Sequence, residues 1–93
     1  MKLIETLDLV LKGKWYDMIE SGEKPEEYRE LTSYWTHRIY YHLHTLKTVR
    51  FHRGYTNKTM TFQIESIRIG KGNPEWGAPT DRKVFIVKLG ERI

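Results

Sequence analysis

Cysteine is absent from this 93-residue chain. That excludes disulfide staples, cysteine–zinc ribbons and thiol nucleophiles, and it fits a reducing compartment. No apolar run approaches the roughly 20 residues that a bilayer span requires. The opening Met1-Lys2-Leu3-Ile4-Glu5-Thr6 is followed by Asp8 and Lys12, so it lacks the apolar stretch and small-residue cleavage site of a secretion signal. A cytoplasmic location with no membrane partner is the resulting expectation. Internal repeats and low-complexity tracts are missing. Serine occurs only at Ser21, Ser33 and Ser66, and no Gly-x-Ser-x-Gly elbow surrounds any of them. The four histidines, at 37, 42, 44 and 52, have no helical i, i+4 pairing and no flanking carboxylate at a ligand spacing. Neither a metal nor another cofactor is therefore expected. Gly70-Lys71-Gly72-Asn73-Pro74-Glu75 begins like a dinucleotide-binding loop, but Glu75 replaces the third glycine and Pro74 opposes the helix that must follow.

What is present suffices for one small domain spanning residues 1–93. Hydrophobic residues make up 39% and aromatics 13%, which supports a single core and is too rich for a disordered tail. The net charge of +4 is unevenly spread. Residues 17–30 carry six acids against Lys24 and Arg29, a net −4. Residues 37–72 carry seven bases against Glu65, a net +6, together with the histidines and several aromatics. Such a half offers either an ordinary solvated face or a surface that attracts phosphates. The two segments are expected to meet across one cleft.

Periodicity divides the chain. Leu7, Leu9 and Leu11 alternate as in a strand, and Gly13 ends the pattern. Trp15, Met18 and Ile19 sit at i, i+3 and i+4 of a short helix that stops at Ser21-Gly22. Residues 26–31 read as a strand entered through Pro25. Thr32 or Ser33 caps a second helix whose buried stripe is Trp35, Ile39, Leu43 and Leu46. Residues 48–53 alternate again, and 54–58 form a turn. Met60, Phe62 and Ile64 continue in even phase before Ile67 and Ile69 take the odd phase, which implies a β-bulge near Glu65-Ser66 or two successive strands. Residues 70–80 form a long loop, and Val84 to Leu89 read as a strand covered on both faces. The expected fold is mainly β (α+β): a small β-barrel of about five strands with two short helices.

The segment Gly22-Glu23-Lys24-Pro25-Glu26-Glu27-Tyr28-Arg29 stands apart. If it is extended beyond Pro25, Glu27 and Arg29 share one face, with Lys24 beside them in the turn. On spacing alone a surface ion-pair cluster is the favoured description, being the commoner arrangement, and such a cluster contributes little.

Gly22, Lys24, Glu27 and Arg29 also fill every position of Gly-x-Lys-x-x-Glu-x-Arg, and here the chain resembles the ASCH domain of the PUA-like superfamily. The preceding strand and helix, Tyr34-Trp35-x-x-Arg38, Arg53-Gly54-Tyr55, Gly70-x-Gly72-x-Pro74-Glu75-Trp76-Gly77 and Phe85-x-Val87-x-Leu89-Gly90 resemble a compact subgroup found in bacteria and phages. The resemblance implies a small β-barrel with helices at its opening and the motif lining a cleft. It also implies RNA or a modified nucleoside as partner; the oligomeric state is not read from the sequence, with a monomer as the default. Some members are amidohydrolases using a Lys–Thr–Glu set, and others are ribonucleases. Here Glu27 stands where the hydrolase threonine would be, so that nucleophile is missing. In a hydrolase reading Lys24 and Glu27 exchange protons with help from Glu75. In a binding reading Arg29, Arg38 and Arg53 take phosphate or carbonyl oxygens, while Tyr55 and Trp76 stack on bases. A protein-interaction module is the third alternative.

Overall fold

A computed structural model describes residues 3–93. Strand β1 (Thr6–Leu11) buries Leu7, Leu9 and Leu11 on one face and leaves Asp8 and Val10 exposed on the other. Helix α1 (Gly13–Glu20) follows at once and closes at Gly22, whose φ of 88° is the left-handed conformation that glycine adopts without a Cβ penalty. The residues that α1 buries are Tyr16 and Ile19, not Trp15. Trp15 lies at the side of the helix against Gly77, where an added Cβ would stand 3.1 Å from its ring.

Strand β2 (Glu26–Arg29) ends two residues before the pattern suggests. The chain leaves the ladder because Thr32 adopts the extended N-cap conformation and its side chain accepts from the Trp35 N–H. Helix α2 (Ser33–Arg38) is likewise shorter than its apolar stripe implies, and a 3₁₀ turn (Tyr40–His42) replaces its continuation. Three residues per turn cannot maintain a four-residue repeat. Ile39 is consequently fully buried, Trp35 and Leu46 half-buried against the core, and Leu43 exposed.

Strands β3 (Thr48–Arg53), β4 (Thr59–Gly70) and β5 (Val84–Arg92) complete one sheet of order β1-β3-β4-β5-β2. The β1–β3 pair is parallel and the others are antiparallel. The change of apolar phase in β4 occurs within one strand, with register shifts between Phe62 and Ile64 and between Ile64 and Ser66. Such irregularities bend a strand, and the sheet curls into a half-barrel. Val84 to Val87 are all buried, as expected of a strand covered on both faces. One face packs Leu7, Leu9, Phe51, Val49 and Val87 with Tyr16, Ile19 and Ile39; Tyr28, Ala78, Val84 and Ile86 form a second cluster under Trp76.

The curl has a consequence for the edges. Among the described residues β1 and β2 share no ladder, so the barrel stays open between them. The gap is bridged by a side chain: Arg29 Nη2 donates to the Val10 carbonyl at 3.0 Å.

The acidic and basic segments meet mainly as surface ion pairs away from this seam. Asp17 receives Arg53 through Nε and Nη2, and Glu20 pairs with Lys58 at 3.3 Å and Arg92 at 3.7 Å. Glu26 faces Arg68, while Arg92 and Arg82, which pair with Glu20 and Glu30, lie beyond the basic segment. No helix among the described residues is long and apolar enough to cross a membrane.

Candidate functional site

At the seam a cavity of about 230 Å³ is lined by Val10, Leu11 and Lys12 from the end of β1, Trp15 from α1, Glu27, Tyr28 and Arg29 from β2, and Trp76-Gly77 from the β4–β5 loop. Both sheet edges, one helix and one loop thus converge on it. The loop is shaped for the task. Asn73 caps the 3₁₀ turn Pro74–Trp76 through its side chain, and Gly77 at φ 99° turns the backbone under Trp15.

Beneath the cavity lies a charged relay. The Lys24 side chain reaches back from the turn before β2 and is 1% exposed, although it does not itself line the cavity. Its Nζ is 3.1 Å from Glu27 Oε1 and donates to the Trp76 carbonyl. It also lies 4.5 Å from the Tyr28 ring centroid and 5.5 Å from that of Trp15, so aromatic faces replace part of its lost hydration. Burial lowers the Lys24 pKa below its ordinary 10.5, against the opposing attraction of Glu27. Glu27 is 7% exposed, and its other oxygen, Oε2, accepts from Arg29 Nη2 at 3.0 Å. The Arg29 guanidinium lies 4.9 Å over the Trp35 ring, while its buried Nε has no partner among the described residues.

Tyr28 takes the opposite side of β2. Its hydroxyl donates to Glu26 Oε2 at 2.7 Å and accepts from the Asn73 N–H at 3.0 Å, tying the strand to the loop. Burial first, then the bond to Glu26, pushes the Tyr28 pKa well above 10.0, so the phenol stays neutral.

The structure therefore brings Lys24, Glu27, Arg29 and Trp76 together and leaves the other expected residues elsewhere. Glu75 is exposed and does not line the cavity; only its backbone N–H is engaged, by Asn73. Arg53 is held on Asp17, with its guanidinium packed over Gly13. Tyr55 is fully exposed at the tip of the β3–β4 turn. Arg38 sits on α2 over the Tyr34 ring at 5.6 Å, its buried Nε without a partner among the described residues. His52 and Arg50 both bind Asp8 at 2.8 Å, His42 accepts from the Ile4 N–H, and His37 bonds to the Ser33 carbonyl. Trp15, Tyr28 and Lys12 were not evident as lining residues. Their only signal was adjacency in sequence to the two edges that curl together, and curl leaves no mark in a linear pattern.

Compared with known proteins, the chain matches no family model, no curated protein and no solved structure.

Proposed function

We propose that this chain is an ASCH-like domain that binds an unpaired base of RNA, or the corresponding nucleotide, in the cavity at the seam. The observation that carries this is the buried Lys24–Glu27–Arg29 relay ending in a carboxylate and a guanidinium between aromatic walls. An ionised carboxylate has about four acceptor sites, and Lys24 and Arg29 engage one on each oxygen, so Glu27 retains capacity for donors on a base edge. Trp15 and Trp76 supply flat surfaces, and base–aromatic stacking contributes about 1–3 kcal/mol per base. A volume of about 230 Å³ is below the usual ~300–1,000 Å³ of small-molecule sites, which suits one heterocycle and favours a pyrimidine.

Lys24 acts as a positioning residue here. Its amine is screened from the cavity by the groups it holds, so it fixes the Glu27 rotamer and charge and does not touch the ligand. The same screening, with the exposed position of Glu75, favours binding over the hydrolytic reading. Because Glu27 only accepts, it favours the base with more donor hydrogens on its pairing edge: cytosine offers the two N–H of its exocyclic amine, uracil a single N3–H. Calorimetric titration with CMP and UMP tests this. Wild type binds CMP about tenfold more tightly, and Glu27→Gln erases the preference. Equal affinity for the two nucleotides, or binding of neither, contradicts the reading.

A further inference from the structure

A second surface begins where the cavity ends. Arg29 lies over Trp35, and Trp35 meets Tyr34 edge-to-face at 4.8 Å. Arg38 covers Tyr34, His37 lies 5.0 Å from Tyr41, and Tyr41 touches Tyr40 at 5.7 Å. Tyr34, His37 and Arg38 stand at i, i+3 and i+4 on α2, and Tyr41 follows in the 3₁₀ turn, brought to His37 by the contact between their rings. Core-facing residues would explain that spacing, yet these rings face water: Tyr34, Tyr40 and Tyr41 are 60%, 56% and 54% exposed. Three large exposed rings along α2 and the 3₁₀ turn, a segment whose core contacts are made by Trp35 and Ile39, are unexplained by packing.

Charge identifies the occupant. No acidic residue occurs from Leu31 to Ile64, and the flanking acids Glu30 and Glu65 are paired with Arg82 and Lys88. The segment that supplies the aromatic face therefore contributes Arg38 and imidazoles and no carboxylate of its own. A surface that is flat, aromatic and free of negative charge matches stacked bases on a phosphate backbone better than an ordinary protein partner.

We propose that the exposed face of α2 and the following 3₁₀ turn is a stacking track for single-stranded RNA, holding the nucleotides next to the one in the cavity. The choice of RNA rests on the proposed function; the track itself rests on the exposed rings and the missing acids. The closing experiment compares two affinities, that of CMP by calorimetry and that of a fluorescently labelled cytidine octaribonucleotide by anisotropy. It uses the full chain and the double variant Tyr34→Ala/Tyr41→Ala, checked for folding by circular dichroism. In wild type the octamer binds at least about tenfold more tightly than CMP, and the double variant loses about tenfold or more of that advantage. Octamer binding that depends on the tyrosines when CMP does not bind supports the track while removing the cavity reading. An octamer advantage unchanged in the double variant overturns the track even if CMP binds. So does equal affinity for the deoxyribose octamer, which removes RNA as the occupant. Sedimentation showing a wild-type dimer that the double variant abolishes also overturns it, since the face is then a self-association surface.

Discussion

Lys24 Nζ and Glu27 Oε1 lie 3.1 Å apart in a position where the lysine is almost wholly withdrawn from water. The pair is the hinge between stability and function in this fold. Removing one partner leaves the other buried with incomplete compensation, whereas removing both leaves no buried ion of the pair and keeps Arg29 on the Val10 carbonyl. Breaking a buried pair typically destabilises by several kcal/mol, while an apolar replacement of both is far milder.

Glu27→Leu is accordingly expected to lower unfolding stability by about 3 kcal/mol, and Lys24→Met/Glu27→Leu to recover much of that loss. Urea denaturation of the two single variants and the double variant measures the coupling. Additive losses are inconsistent with an energetically linked pair.

The pH dependence follows from the direction of the Lys24 shift. Its folded-state pKa lies below the ordinary 10.5, so between those two values the unfolded chain holds the extra proton. Stability from this group therefore rises with pH across that window. Tyr16 and Tyr28 act oppositely: burial raises their pKa values above 10.0, and stability falls once pH passes that point. Comparing wild type with Lys24→Met as pH rises toward 10.0, before the tyrosine effect sets in, separates the two. Wild type gains relative to the variant as pH rises, and parallel profiles contradict the assignment.

Asp8 supplies the contrast. Burial alone would raise its pKa, but the hydrogen bonds from His52 and Arg50 hold it below 3.8. Its stabilisation is present above 3.8 and lost as pH falls through the lower folded value. The cluster is close to half exposed, so Asp8→Asn is expected to destabilise by less than about 1 kcal/mol near neutral pH. Thermal unfolding of that variant checks the value; a loss as large as that of Glu27→Leu is inconsistent with a surface role.

Gly72 tests the loop that closes the cavity. A Cβ there would stand 2.5 Å from Tyr28 Cε1 and 2.7 Å from Ala78 Cβ, whereas one at Gly70 would meet only Ile86 Cδ1 at 3.5 Å. Gly72→Ala is therefore expected to destabilise by about 1–3 kcal/mol through displacement of Tyr28, and Gly70→Ala by much less. Denaturant midpoints for the two variants decide it.

Much of the fold was legible because burial and periodicity coincide. Leu7-Leu9-Leu11, the phase change between Ile64 and Ile67, and the apolar run from Val84 each mark a strand that forms. The helical stripe fails only at Leu43: Trp35, Ile39 and Leu46 meet the core, and the 3₁₀ turn after Ile39 carries Leu43 outward. Within the site, the local motif placed Glu27 and Arg29 on one face correctly, since alternation along an extended segment is a short-range property. The contributions of Trp15 and the Trp76 carbonyl depend on how far the sheet curls, and Arg53 was drawn away by Asp17 on a neighbouring helix. Those are long-range outcomes with no local signature.

The most direct measurement is a CMP titration of isotopically labelled protein, following the indole N–H signals of Trp15, Trp35 and Trp76 by NMR. The account predicts saturable shifts at Trp15 and Trp76, and their loss in Glu27→Gln with the fold intact. Indole signals that stay fixed through saturating CMP, or that shift identically in Glu27→Gln, contradict it.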